Sequence, residues 1–301
     1  MKREEEESVN LHHLSVFYRV ARTQHITRAA EELFMSQPAV SQHIRTLEKE
    51  LKQALLVRMG NKIYCTEAGT VLAEYAARIF GLVEDAEQAM QEFHGLQRGS
   101  LRIGASITPG TYLLPGLLGR YQVQYPHINL TITTKNTTTI SSLVRQYLLD
   151  IGIVTGEENI PDIEQRAWQV DRVVFVGPMT SSLPAPCSLE QLQHLPLPLL
   201  LRENGSGTRA VVEQYFHGSG SALPKACIEL NNTEMMKRAV MAGLGYAFIS
   251  QSALDEELLA KKIRLIPLAN GVLHRSLFII FPKGKQMSRA TQAFLDMLEE
   301  K

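Results

Sequence analysis

At 301 residues, 45% of them hydrophobic and 21% charged, the chain is long enough for about two domains and has the make-up of a globular protein. Its formal net charge is zero, which by itself speaks against nucleic acid, and no apolar run approaches the roughly 18 residues that a membrane helix needs, so no membrane partner is expected. Cys65, Cys187 and Cys227 are odd in number, far apart and without C-x-x-C spacing, the histidines form no H-E-x-x-H, and neither a G-x-G-x-x-G nor a Walker-type loop occurs; no disulfide framework, metal or cofactor is expected, and an enzyme reading has no motif behind it.

Met1 to Asn10 opens with Lys2 and Arg3 but continues into Glu4 to Glu7, with no apolar segment of the signal-peptide type, so a cytoplasmic location is expected. Charge is unevenly spread. From Leu11 to Thr66 eight Lys or Arg stand against four acids, and protonation of His12, His13, His25 or His43 would add to that excess, which is compatible with binding phosphates.

Leu11, Leu14, Phe17 and Ala21 recur at helical spacing and predict a first amphipathic helix of about three turns. Ile26, Ala29, Ala30 and Leu33 predict a short second helix, whose adjacent alanines let another helix come close. After a turn at Phe34-Met35-Ser36, a third helix is capped by Ser36 with Pro38 in its first turn. Val40, Ile44, Leu47 and Leu51 make its apolar stripe, while Gln37, Pro38, Ser41, Gln42 and Arg45 occupy another face. Gln bonds base edges, Ser reaches bases or phosphate and Pro touches a thymine methyl, so that face suits a major groove; the bland alternative is a solvated face of a protein-binding bundle. Leu55 to Thr66 then gives two short apolar runs about a Gly60-Asn61 turn flanked by Arg58 and Lys62, a hairpin whose cations suit a minor groove or a phosphate.

These segments resemble a known family. Ile26 to Leu33 (ITRAAEEL), Ser36 to Glu48 (SQPAVSQHIRTLE) and Leu55 to Gly69 closely resemble the winged helix-turn-helix of the LysR family of bacterial transcriptional regulators. The resemblance implies DNA contacts from Thr27, Arg28, Ser36, Gln37, Pro38, Ser41, Gln42, Arg45, Arg58 and Lys62. Met59, Ile63, Tyr64 and Cys65 depart from the polar or basic wings common in that family, so wing contacts are expected from Arg58 and Lys62 alone.

From Thr66, a second N-cap, the chain runs without proline to Phe93, with Leu72, Tyr75, Ile79, Leu82, Ala86, Ala89 and Phe93 in steps of three and four, a heptad-like seam. A linker helix that pairs with a second copy of the chain is expected. The alternative is burial within the same chain. The resemblance adds that such linkers dimerise and that the full-length proteins often form tetramers, so a homodimer or homotetramer is expected.

Beyond Gln97-Arg98-Gly99-Ser100 the period changes, and strand and helix alternate: strands at Leu101–Ala105, Ile128–Thr134 and Ile151–Thr155 with helices at Pro109–Tyr125 and Thr139–Leu148. A second set follows, with strands at Leu197–Leu201, Ala226–Leu230 and Tyr246–Ser250 and helices at Gly207–His217 and Thr233–Ala242. Strands near Val173–Val176 and Ser276–Phe281 would carry the chain between two lobes, and a last helix at Gln286–Leu298 would return to the first. This arrangement resembles the periplasmic-binding-protein-like effector domain of the same family. The expected fold is therefore α/β: residues 9–66 a winged helix-turn-helix, 67–95 a dimerising linker helix, and 99–301 a two-lobed effector domain, with lobe I about 99–175 and 270–301 and lobe II about 176–269.

In open α/β sheets ligands bind beyond the carboxyl ends of the strands, at helix N-termini. Ser106, Thr108, Asn136, Thr155, Ser206 and Thr208 cluster at such ends, as do Asn232 and Thr233. Each is, on the bland reading, an N-cap. Convergence of both lobes on one cleft makes a small anion the expected effector, with Arg202 or Arg209 as counter-charge and Ser106 and Thr108 the pair best supported by the resemblance. The expected partners are double-stranded operator DNA, a second copy of the chain, a small effector and RNA polymerase. An enzyme or a transporter's solute-binding protein built on the two-lobed module is the competing class.

Overall fold

The computed structural model of the chain describes residues 9–60, 62–92, 99–156 and 161–300, with backbone alone at 88, 89, 91 and 92. The chain falls into two compact units, Met1–Glu87 and Gln88–Lys301.

In the first unit the helical trio is α1 (Leu11–Thr23), α2 (Ile26–Glu32) and α3 (Gln37–Leu51). The Asn10 carboxamide accepts the His12 and His13 amides to start α1, and Gln24, in the left-handed region at φ 57°, ends it. Ala29 and Ala30 of α2 are buried with Val16, Val20, Val40 and Ile44, the close approach that small side chains allow. Leu11, expected on the apolar stripe, is the first residue of α1 and lies exposed, and the stripe runs instead through Leu14, Val16, Phe17 and Val20. Strands β1 (Leu56–Met59) and β2 (Lys62–Cys65) pair antiparallel with Met59 opposite Lys62. Gly60 supplies the positive φ, 63°, that a two-residue hairpin turn requires; Asn61, the other half of the expected turn, lies outside the described residues.

The Thr66 hydroxyl accepts the Gly69 amide and donates to the Ala54 carbonyl, and α4 (Glu67–Glu92) begins there. The expected seam on α4 splits between two faces. Leu72 and Ile79 pack with Ala76 and Phe80 against Leu14, Phe17 and Leu47, because the trio needs a fourth wall, whereas Tyr75, Leu82 and Ala86 are exposed. Of the remaining seam positions, the Ala89 side chain and Phe93 lie outside what is described.

The second unit is built on one continuous sheet. In chain order its elements are β3 (Gly99–Ser106), α5 (Leu114–Gln124), β4 (Ile128–Lys135), α6 (Thr137–Arg145), β5 (Ile151–Thr155), β6 (Ile163–Pro178), α7 (Leu189–Gln193), β7 (Leu199–Arg202), α8 (Gly207–Gly218), β8 (Cys227–Leu230), α9 (Thr233–Met241), β9 (Tyr246–Ser250), α10 (Asp255–Leu259), β10 (Ile263–Leu265), β11 (Leu273–Pro282) and α11 (Arg289–Glu299). The strand order is β4-β3-β5-β11-β6-β9-β7-β8, with β10 beside β6. Two parallel triplets, β4-β3-β5 and β9-β7-β8, are joined through the antiparallel strands β6 and β11, whose register runs from Leu273 opposite Val173 to Pro282 opposite Ile163.

Lobe I buries Leu101, Ile103, Ile151 and Ile153 against Tyr121 and the α11 residues Phe294 and Leu295. Lobe II buries Val173, Phe175, Leu199, Phe216 and Phe248 on one face of its sheet and Val176, Leu200, Val240 and Ile249 on the other. The crossing therefore falls inside β6, between Trp168, which packs in lobe I, and Val173. Strand β6 is far longer than the Val173–Val176 run suggests, because its first half (Glu164, Gln165, Arg166, Gln169) is polar and mostly exposed. The single helix expected over Pro109–Tyr125 is broken: Pro109–Leu113 forms a π-helical turn before α5. Pro115 falls in the first turn of α5, where its missing amide costs no helical hydrogen bond and marks a fresh helix start.

Candidate DNA-reading face and effector cleft

Glu48 ties the wing to α3. Its Oε1 accepts the Leu55 and Leu56 amides at 2.8 and 3.3 Å, while the Ile63 amide donates to the Gln24 carbonyl at 2.9 Å. The hairpin that carries Arg58 and Lys62 is thus fixed to both α1 and α3. Ser36 caps α3 by accepting the Ala39 amide, with Pro38 in the first turn as expected. Gln37, Pro38, Gln42 and Arg45 are exposed, as are Thr27, Arg28, Ser36, Arg58 and Lys62, and Ser41 is half-buried. The chain's own first unit covers neither Gln37 nor Gln42. Arg28 lies 3.8 Å from Glu32, an exposed pair of little energetic weight, so its guanidinium remains available to phosphate. Arg58 donates through Nε to the Gly60 carbonyl at 3.2 Å, which stiffens the wing tip.

His43 does not add to the positive charge of this face at neutral pH. His43 on α3 packs against His12 and His13 of α1, with ring centroids 4.8 and 5.1 Å away, and His13 Nδ1 stands 3.3 Å from Glu50. Burial first, and then the two neighbouring imidazoles, hold His43 below its usual range, so it is neutral at physiological pH.

In the second unit β3 and β5 are parallel neighbours with Ala105 opposite Ile153, so Ser106 and Thr155 end side by side at the carboxyl edge. Both are buried, as are Thr108, Ser206 and Thr208. The capping explanation fails for three of these. Ser106 Oγ is buried without a hydrogen-bond partner among the described residues, and neither Thr108 nor Ser206 makes a side-chain cap. The first turn of α8 consequently presents its amides without a side-chain acceptor. Asn136, by contrast, does cap α6 through Thr139 and also reaches the Asn204 carbonyl of lobe II at 3.5 Å.

The lobes meet where α8 begins. A Cβ built on Gly207 would lie 1.8 Å from Thr155 Oγ1, so only glycine permits this approach. The Thr155 hydroxyl is bonded to Thr137 Oγ1 at 3.1 Å. Beside this contact opens a cavity of about 540 Å³ whose wall includes Thr137, Gly156, Ser206, Arg209, His274 and Ser276.

Neither expected counter-charge is free. Arg202 is buried in a two-pronged pair with Glu203 and donates to Thr233, and Arg209 holds Glu213 at 2.7 Å and Glu229 at 2.6 Å. Both are neutralised by carboxylates one, four and twenty residues away, of which only the last is hidden from sequence spacing. The cation at the cleft floor is instead Arg275, fully buried on β11 and absent from the sequence reading. It pairs with Asp171 of β6 at 2.7 Å and donates to the Thr208 hydroxyl at 2.6 Å. Asp171 also accepts from Ser250 at 2.9 Å. Burial pushes all three cysteine thiols up, leaving them protonated and unsuited to nucleophilic chemistry. Among the described residues no helix is long and apolar enough to cross a membrane.

Comparison with known proteins agrees with this division. Residues 11–70 match the model for the bacterial regulatory helix-turn-helix protein, lysR family, and residues 94–301 match that for the LysR substrate binding domain. The chain is 33% identical to the HTH-type transcriptional activator CmpR of Synechocystis over 97% of its own length and 95% of that protein's. Its fold is similar to that of a full-length OxyR variant from Pseudomonas aeruginosa (TM-score 0.73, 24% identity, 97% and 95% covered). It is likewise similar to the Synechocystis CcmR regulatory domain in complex with 2-PG (TM-score 0.62, 26% identity, 67% and 96% covered). Two family models that together span nearly all of the chain, on a winged trio and a two-lobed cleft of matching construction, place this protein in the LysR family: it is a DNA-binding transcriptional regulator responsive to a small effector, rather than an enzyme.

Proposed function

We propose that residues 9–66 read operator DNA, that 67–95 pair two copies of the chain, and that 99–301 bind a small anion between the lobes, all in the cytoplasm, where the DNA is. In this reading Gln37, Ser41 and Gln42 discriminate bases. Thr27, Arg28, Ser36, Arg45, Arg58 and Lys62 hold phosphates, and Pro38 lies against a base methyl. The exposed face of α4, with Val71, Tyr75 and Leu82 each more than half uncovered, is the surface offered to the second copy.

The observation that carries the anion is the unpartnered buried Ser106 hydroxyl beside Thr155, against which the uncapped N-terminus of α8 is pressed. Amides at a helix N-terminus carry partial positive charge, and a carboxylate or oxyanion would satisfy them together with Ser106, Thr108 and Ser206. Thr208 is held by Arg275 and orients from behind. That the CcmR regulatory domain was solved with 2-PG supports a small ligand in this kind of cleft. Ligand would favour one arrangement of the lobes, and regulation follows from its different affinity for the two.

Calorimetry with 2-PG, short-chain acids and inorganic anions, combined with gel shifts on DNA upstream of the protein's own gene, tests the proposal. An anion that binds and alters the shift supports it. Binding by neutral or bulky ligands only overturns the anion, and affinity for no duplex at any salt concentration overturns the DNA-reading assignment.

A further inference from the structure

One side chain of lobe I is packed into lobe II. Tyr112 belongs to the π-helical turn Pro109–Leu113, four residues after Thr108, yet its ring packs on the lobe II cluster of Val176, Met236, Val240 and Ile249. Its hydroxyl donates to Glu234 Oε1, in the first turn of α9. Glu234 is held in turn. Lys237, whose side chain is only 6% exposed, lies 2.7 Å from the same Glu234 oxygen and 2.9 Å from Glu257 of α10, and its ammonium stands 5.2 Å from the centre of the Tyr112 ring. Burial and the bond to Glu234 push the phenol up, so it stays a donor throughout the physiological range.

The geometry points to Tyr112 as an interlobe latch that fixes the turn Pro109–Leu113 against lobe II by anchoring on Glu234, with Lys237 and Glu257 holding the anchor still. Three observations converge on it. Tyr112 stands in a π-helical turn, Pro109–Leu113, and from there its ring reaches the cluster of the other lobe. The turn carrying Tyr112 follows the strand end that presents Ser106, with Thr108 at its entrance, so movement of that turn would bear on the two hydroxyls assigned above to the anion, an assignment that rests on the proposed function. Finally, the acceptor sits in the first turn of α9, where Arg202 of β7 also grips Thr233 at 2.9 Å, so the latch ends on a rigid part of lobe II. None of these residues lines the cavity beside Gly207; the latch acts on the turn and does not touch ligand there.

Amide hydrogen exchange on the full-length protein tests this. Tyr112→Phe keeps the ring and removes the donor. It should speed exchange at least about tenfold at both ends of the latch, 110–114 and 234–238, a loss in the range of one hydrogen bond to a charged group, while β3, β7 and β9 keep their protection. Glu234→Gln, which still offers an oxygen to the phenol, should retain most of the protection at 110–114, whereas Glu234→Ala should lose it. Adding Tyr112→Phe to Glu234→Ala should then cost nothing more at 110–114. Wild-type exchange at 110–114 in both Tyr112→Phe and Glu234→Ala, additive losses, or a loss spread evenly over the second unit would each overturn the latch. All of these outcomes are read without an effector, so they stand apart from the identity of the ligand.

Discussion

Gly207→Ala is the most direct probe of the cleft. The added Cβ would stand 1.8 Å from Thr155 Oγ1, 2.6 Å from Thr155 Cβ and 2.8 Å from the Thr155 carbonyl oxygen. The backbone oxygen belongs to β5, paired on one side with β3 and on the other with β11, and cannot withdraw. Even if the Thr155 hydroxyl turns aside, the start of α8 must therefore retreat by about 0.6–0.8 Å to bring the carbonyl oxygen and Cβ of Thr155 to an ordinary contact of 3.4 Å. Overpacking of this kind costs about 1–3 kcal/mol, and here the cost falls on the closed arrangement of the lobes. Any effector that bridges the lobes should lose affinity by about 5- to 150-fold, since about 1.4 kcal/mol corresponds to a factor of ten. Gly218→Ala, at the far end of the same helix with nothing within 4 Å of the new methyl, is the control and should be neutral. Thermal unfolding of the full chain, together with amide exchange at 207–211, gives the readout. A Gly207→Ala protein with wild-type protection at 207–211 and unchanged effector affinity would show that α8 does not bear on Thr155, and the floor of the cleft would have to be redrawn.

Other expectations follow from the same structure. Arg58→Ala should weaken binding to operator and random duplex alike, while Gln37→Ala should chiefly erode discrimination between them; equal losses on both DNAs for both variants would refute that division of labour. His43 titrates below its unfolded value near 6.5, so as pH falls the unfolded chain takes up that proton before the folded one, and stability present above about pH 6.5 is lost down to the folded pKa. Amide protection in α1 and α3 should therefore fall on acidification, and His43→Gln should flatten the profile; an unchanged slope would discard the cluster as its source. Arg275→Ala leaves Asp171 charged and buried, and should destabilise the second unit by about 3–5 kcal/mol in chemical denaturation, whereas Arg275→Met with Asp171→Asn should recover much of that loss.

The first sixty-six residues were legible because their signals are local. Ser36, Pro38, the 40-44-47 stripe and the Ala29-Ala30 pair each specify geometry within a turn or two, and the structure follows them. What escaped was set by distant partners. The seam of α4 mixes two faces, since a spacing of three and four does not say which residues the trio will claim. Of the partners of Arg202 and Arg209, the adjacent Glu203 and the i+4 residue Glu213 stood in plain view of the sequence, and only Glu229 comes from a neighbouring strand. Arg275 gave no signal at all. It stands between His274 and Ser276, just before an apolar run, and its partner Asp171 lies 104 residues away, brought opposite by strand register. Ser106 and Thr155 do end strands as expected, but that Ser106 Oγ is buried without a partner among the described residues is a three-dimensional fact that no spacing encodes.

The way the lobes are joined limits how they can move. Two strands cross between them, and they are paired from Leu273–Val173 to Pro282–Ile163, so a lobe cannot pivot on a flexible loop; it must bend or twist a two-stranded ribbon. The ribbon has one irregularity, a register shift between Leu277 and Phe278 that leaves Trp168 out of the pairing, and the Trp168 indole is tied at 2.9 Å to the Leu298 carbonyl of lobe I. Bulges increase local twist, so deformation should concentrate there. Only a few residues further along, Asp171 and Arg275 face each other across the ribbon and reach Ser250 and Thr208 of lobe II. A buried pair of this sort adds little net stability over an apolar one, yet tolerates only narrow geometry. Placed just beyond the bulge, it should stiffen the lobe II end of the ribbon and direct bending to the lobe I side, so that any ligand bridging the two lobes would work against the ribbon near Trp168.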